Sequence, residues 1–71
     1  MTLVSGFHSG DLVKHIYTGK VCILLETRLI DVVHDPIAVY PVYDAYILLP
    51  GQQRQWVPLE HLRKLSRDET N

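Results

Sequence analysis

The sequence has a single cysteine, Cys22, so no internal disulfide can staple the chain. That excludes the disulfide-framed secreted mini-proteins. Neither sign of charge dominates. Seven Lys and Arg stand against eight Asp and Glu, for a formal net charge of −1. A strongly basic nucleic-acid binder draws its affinity mainly from phosphate neutralisation, and this composition argues against one. No apolar run approaches the ~20 residues that cross a bilayer as a helix. The opening Met1-Thr2-Leu3-Val4-Ser5-Gly6 has no basic stretch followed by a long apolar one. The expectation is a chain without signal peptide or membrane segment, kept in the cytoplasm or in something assembled there.

Signatures of chemistry are equally scarce. No pair among His8, His15, His34 and His61 has the close spacing of a zinc knuckle or a helical metal motif. Asp31, Asp35 and Asp44 do not form a paired-carboxylate signature, and Ser5 and Ser9 flank no nucleophile motif. Cys22 lies inside an apolar run, where a free cysteine acts as a small buried hydrophobe. We therefore expect no catalytic residues, no metal and no cofactor.

What is present is an ordinary globular composition: 71 residues, 46% hydrophobic and 21% charged. A chain this short buries only roughly 60% of the surface its unfolded form exposes, so its core is marginal alone. With disulfide and metal set aside, association is the remaining support.

The punctuation predicts short strands. Leu12 to Tyr17 and Val21 to Thr27 flank the turn Thr18-Gly19-Lys20 and read as a hairpin. Val42 to Leu49 follows as a third strand. The strong turn Pro50-Gly51 leads into a fourth, Gln53 to Val57. Pro58-Leu59-Glu60-His61 suits one helical turn, with proline first, and Leu62 to Leu65 reads as a last strand. A continuous helix from Pro58 to Arg67 also fits the spacing of Leu59, Leu62 and Leu65. Residues 28–41 read as a long loop or edge strand. Asp35-Pro36 marks a turn there, and Pro41 excludes a central-strand position. Residues 1–9 form an N-terminal arm, 10–65 the domain, and 66–71 a polar tail.

Five short strands with a helical turn before the last describe an all-β, five-stranded barrel with a one-turn 3₁₀ helix. Trp56-Val57-Pro58 followed by Leu62 resembles the segment of SH3-like domains where a strand meets that turn. Gly10-Asp11-Leu12-Val13, then Gly19-Lys20-Val21 and Ile23, resembles the opening hairpin of such barrels and of KOW-type modules. The acidic-aromatic signature of peptide-binding SH3 domains is absent from the first strand, so proline-rich ligands do not carry over. The pattern also resembles small barrel proteins of tailed bacteriophages, which implies a virion component. One enzyme family uses such a barrel, the plasmid-encoded dihydrofolate reductases, with a pore-lining Val-Gln-Ile-Tyr. Here Arg54-Gln55-Trp56-Val57 keeps only the glutamine.

The strands are apolar on both faces. Val21, Ile23 and Leu25 share one face of the second, and Cys22 and Leu24 the other. Leu24, Tyr46 and Leu48 are expected to point outward and to need cover from the loop or from another protein. Val57 is assigned to the core and Trp56 to the outer face beside Arg54, a pairing typical of interface anchors. The expected contact set is thus Leu24, Tyr46, Leu48, Arg54 and Trp56. The expected partner is protein, as a homo-oligomer or a larger assembly. A KOW-type nucleic-acid contact is the alternative, through the basic cluster Arg63, Lys64 and Arg67, which Asp68 and Glu69 partly cancel.

Overall fold

A computed structural model describes residues 2–4 and 6–65. Among these, β-branched and aromatic runs form seven strands: β1 Thr2–Val4, β2 Phe7–His8, β3 Leu12–His15, β4 Val21–His34, β5 Val39–Leu48, β6 Arg54–Pro58 and β7 Leu62–Lys64. A single 3₁₀ turn, Leu59–His61, joins the last two. β1 and β2 form a small hairpin. The others form one antiparallel five-stranded sheet in the order β6-β5-β4-β3-β7. The continuous helix weighed for the C-terminal stretch is replaced by that turn and β7. Pro58, with φ −60 and ψ 135, starts it, and the Leu62 N–H donates to the Leu59 carbonyl to end it. The expected polar tail, 66–71, lies outside the described residues.

Turn chemistry sets the register. β5 and β6 are joined through Gly51 at φ 86 and Gln52 at φ 70, two successive left-handed residues. Glycine takes the first without strain, whereas glutamine at the second is strained. Gln52→Gly is expected to raise stability by up to ~1 kcal/mol, readable as a higher urea midpoint. At Asp35–Ala38 the two residues exchange backbone hydrogen bonds of 2.8 and 3.2 Å. The Asp35 carboxylate also accepts the Ile37 N–H at 3.0 Å. This two-residue loop, Pro36-Ile37, needs no positive φ, because proline presets the first corner.

The core is small. Val13, Cys22, Leu24, Ala45, Ile47, Val57 and Leu62 are buried, with Phe7, Leu49 and Leu59 packed against them. Leu24 is 0% exposed. This corrects the outward placement expected from sequence. Leu24 pairs with Ile47 and Cys22 with Val13, so their face closes on the core. Val21 and Ile23 point outward instead and are exposed. Val57 is buried, as expected.

Burial pushes the Cys22 thiol above its usual pKa, and the charge of Lys20 only partly opposes this. A thiolate is the reactive form, so a thiol reagent should label native Cys22 far more slowly than the unfolded chain. Equal rates would contradict its burial.

The N-terminal hairpin is tied to the sheet. The Lys64 ammonium donates to the Gly6 carbonyl at 2.7 Å and lies 3.4 Å from the Asp11 carboxylate. Asp11 also accepts the His8 backbone N–H at 2.8 Å. Burial alone would raise the Asp11 pKa. The His8 N–H, Lys64 and the His8 side chain outweigh it and hold the carboxyl below its ordinary value. A depressed folded pKa contributes stability above the unfolded value of ~3.9, and that contribution is lost as pH falls through the folded one. Asp11→Asn is therefore expected to cost about 1 kcal/mol at neutral pH. The gap from the wild-type chain should close as pH drops below about 4 in urea titrations.

Candidate functional site

The segment expected as a long loop or an edge strand, 28–41, is extended and forms the outer half of a long hairpin. β4 and β5 pair continuously from Ile23↔Leu48 out to His34↔Val39. β3 covers β4 only as far as Ile23, and β6 covers β5 only as far as Asp44. Beyond Arg28 and Asp44 the two strands therefore continue as a two-stranded arm. The radius of gyration, 13.0 Å, exceeds the roughly 11 Å of a compact domain of this length, as a projecting arm requires. Pro41 fits because this part of β5 has a free edge, where a missing N–H costs no ladder bond.

Two bulges shape β4, with Leu25 and Ile30 as the extra residues. Alternation along β5 then fixes the faces. Ile47 and Ala45 are both 0% exposed and face the core. Tyr43, Pro41 and Val39 continue the same stripe along the arm, opposite Leu29, Val32 and His34. The core-facing stripe thus runs off the body and is left uncovered. On this stripe Leu29, Val32 and Val39 are exposed, Ile37 at the tip is 94% exposed, and Tyr40 is exposed on the opposite face beside Val33. Where the stripe leaves the body there is an open groove of about 420 Å³. Phe7, the β5 residues 40–43, Leu59, Glu60 and Leu62 line it.

Four of the five expected contact residues lie together on the opposite, outer face. Tyr46 pairs with Trp56, and Leu48 with Arg54. The Tyr46 and Trp56 rings stack at 4.8 Å and 31°. The Arg28 guanidinium sits 4.0 Å above Trp56, and its Nη2 is 3.5 Å from the Asp44 carboxylate. Arg28 and Asp44 are the last pair before the arm leaves the sheet, so this cluster buttresses the arm's root. Trp56 is half-buried by its own neighbours, whereas Arg54 is exposed. Leu24 does not join the set. The apolar surface missed from sequence is the arm itself.

A second cluster also escaped sequence reading. His15, Tyr17 and His61 meet edge-to-face, with Tyr17–His61 ring centroids 4.8 Å apart. His15 Nδ1 accepts the N–H groups of Tyr17 and Thr18, each at 3.3 Å. The pairing of β3 with β7 brings these distant residues together, and no local spacing announces it. Among the described residues no group of three or more His, Cys, Asp or Glu side chains could hold a metal ion. Lys64, expected in a basic patch, is held by Asp11 and Gly6. Lys14 and Arg63 face each other across β3 and β7, both exposed. Gln55, the residue shared with the pore-type reductase pattern, is exposed on β6 opposite Ile47. Among the described residues no helix is long and apolar enough to cross a membrane. Comparison with known proteins finds no match to this chain among family models, curated proteins or solved structures.

Proposed function

We propose that this protein is a non-enzymatic structural or interaction module that presents the β4–β5 arm as its contact surface. It acts by self-association or by docking on a larger assembly. The observation that carries the reading is the core-facing stripe of β5 continuing from buried Ala45 through half-buried Tyr43 to exposed Pro41 and Val39. An apolar ribbon left in water marks a contact site. An SH3-like barrel for the body is supported by the meander β3-β4-β5-β6, by the 3₁₀ turn after β6 and by the return of β7 beside β3. With the bacteriophage resemblance, the assembly we favour is a virion, and the cytoplasm is the alternative location.

A photo-reactive residue at position 37, compared with one at exposed position 52, tests this in the native host. Specific adducts from 37 and not from 52 are expected. Equal, diffuse labelling from both would overturn the reading.

A nucleic-acid module of KOW type is the second reading, favoured by the exposed cross-strand pair Lys14 and Arg63. It requires salt-dependent RNA or DNA binding that Arg63→Glu weakens, and no binding at low salt would dispose of it. Lys64→Glu is a poor probe, because Lys64 also holds the N-terminal hairpin.

A further inference from the structure

We propose that the arm's occupant is a second copy of this chain. The two arms pack antiparallel through their core-continuing faces, and the Pro36-Ile37 tip of each seats in the groove at the root of the other. This rests on reading the arm as a contact surface, and it names the partner.

Both halves of the contact belong to one chain. The tip presents Ile37, 94% exposed, on a loop fixed by two backbone hydrogen bonds and the Asp35 carboxylate. The groove, about 420 Å³, is open, apolar and roomier than one isoleucine side chain needs. The groove runs from the root along the arm to Tyr40, and Ile37 lies three residues farther out, about 10 Å beyond it. Two arms laid antiparallel bring each tip to the other's root at the same time. A two-fold axis crossing mid-arm satisfies both contacts and closes the assembly.

The chemistry of the face agrees. Leu29, Val32, Val39, Pro41 and Tyr43 carry no formal charge, His34 shares their face, and the acidic groups Asp35 and Glu60 stand beside the tip and the groove. Asp31 pairs with Val42 and so sits on the opposite face. The exposed surface of Leu29, Val32, Pro41, Val39 and the Ile37 tip amounts to several hundred Å², and seating the tip adds the groove lining to it, toward the roughly 800 Å² per partner in a standard interface. Face-to-face packing of the arms also supplies the second layer that an isolated two-stranded ribbon lacks.

The test uses the full chain carrying Ile37→Cys and Glu60→Cys together, both at exposed positions. A bridge within one chain needs Cα atoms within ~7 Å and runs as a monomer on the gel, so it is told apart from a bridge between chains. Oxidation is expected to give a single closed covalent dimer on a non-reducing gel, while buried Cys22 stays reduced. Sedimentation equilibrium of the wild-type chain should give twice the 8.2 kDa chain mass. Ile37→Asp, with an unchanged circular dichroism spectrum, should weaken association at least tenfold. A ladder of higher oligomers would overturn the closed arrangement in favour of head-to-tail docking. A wild-type chain that stays monomeric at hundreds of micromolar would overturn the second copy as occupant. Labelling at position 37 would then decide separately whether the arm binds an unlike partner.

Discussion

Leu24→Ala is expected to lower the unfolding free energy by about 3 kcal/mol, the largest effect of any single truncation on the sheet. Leu24 is fully buried and is among the largest side chains in a core of seven buried residues. Its removal forfeits transfer energy and leaves a cavity beside Ile47, which the paired strands cannot easily close. A 71-residue domain at ~0.05–0.15 kcal/mol per residue has roughly 4–10 kcal/mol in total. The loss should therefore drop the melting temperature by roughly 12–24 °C. Leu48→Ala, on the half-buried outer face beside Arg54, should cost less than about 1.5 kcal/mol. Urea unfolding followed by the fluorescence of the single Trp56 compares the two. Equal losses would contradict the assignment of faces.

Trp56→Ala is expected to cost about 2 kcal/mol and to loosen the arm. The indole joins three elements: its own strand β6, Tyr46 on β5 through the ring stack, and Arg28 on β4 through the cation–π contact. Aromatic pairs contribute ~0.5–1.5 kcal/mol beyond their area, and an exposed cation–π contact ~0.5–1. Arg28→Ala removes only the cation and the Asp44 contact at 3.5 Å, and should cost under ~1 kcal/mol because Arg28 is well exposed. Thermal melts by circular dichroism measure both. Hydrogen exchange should show faster opening of Leu29–Tyr43 in Trp56→Ala. If exchange quickened only in the body, Trp56 would not be the arm's buttress.

Much of the body was legible in the residues. Gly19 and Pro50-Gly51 mark turns because the backbone there demands them. Pro58 opens the 3₁₀ turn because its missing N–H costs nothing at a first position. Val57 and Trp56 separate onto inner and outer faces by simple alternation. Leu24 was misplaced because both faces of β4 are apolar, so alternation offers two equal choices. The pairings Leu24↔Ile47 and Val13↔Cys22 decide between them, and those are long-range. The arm stayed open between a loop and an edge strand through a sound rule too widely applied. Pro41 does exclude a central strand, but β6 stops opposite Asp44, leaving an edge where proline is tolerated. The signal was present in Leu29, Val32 and Val33, the Asp35-Pro36 turn, and Val39, Tyr40 and Val42. The bulge at Ile30 interrupts its alternation.

Amide hydrogen exchange across Leu29–Tyr43, followed over a hundredfold range of protein concentration, tests self-association through the arm most directly. The account predicts arm amides whose protection rises with concentration while the core strands around Leu24 and Ile47 stay unchanged. Arm amides that exchange rapidly at every concentration would contradict it.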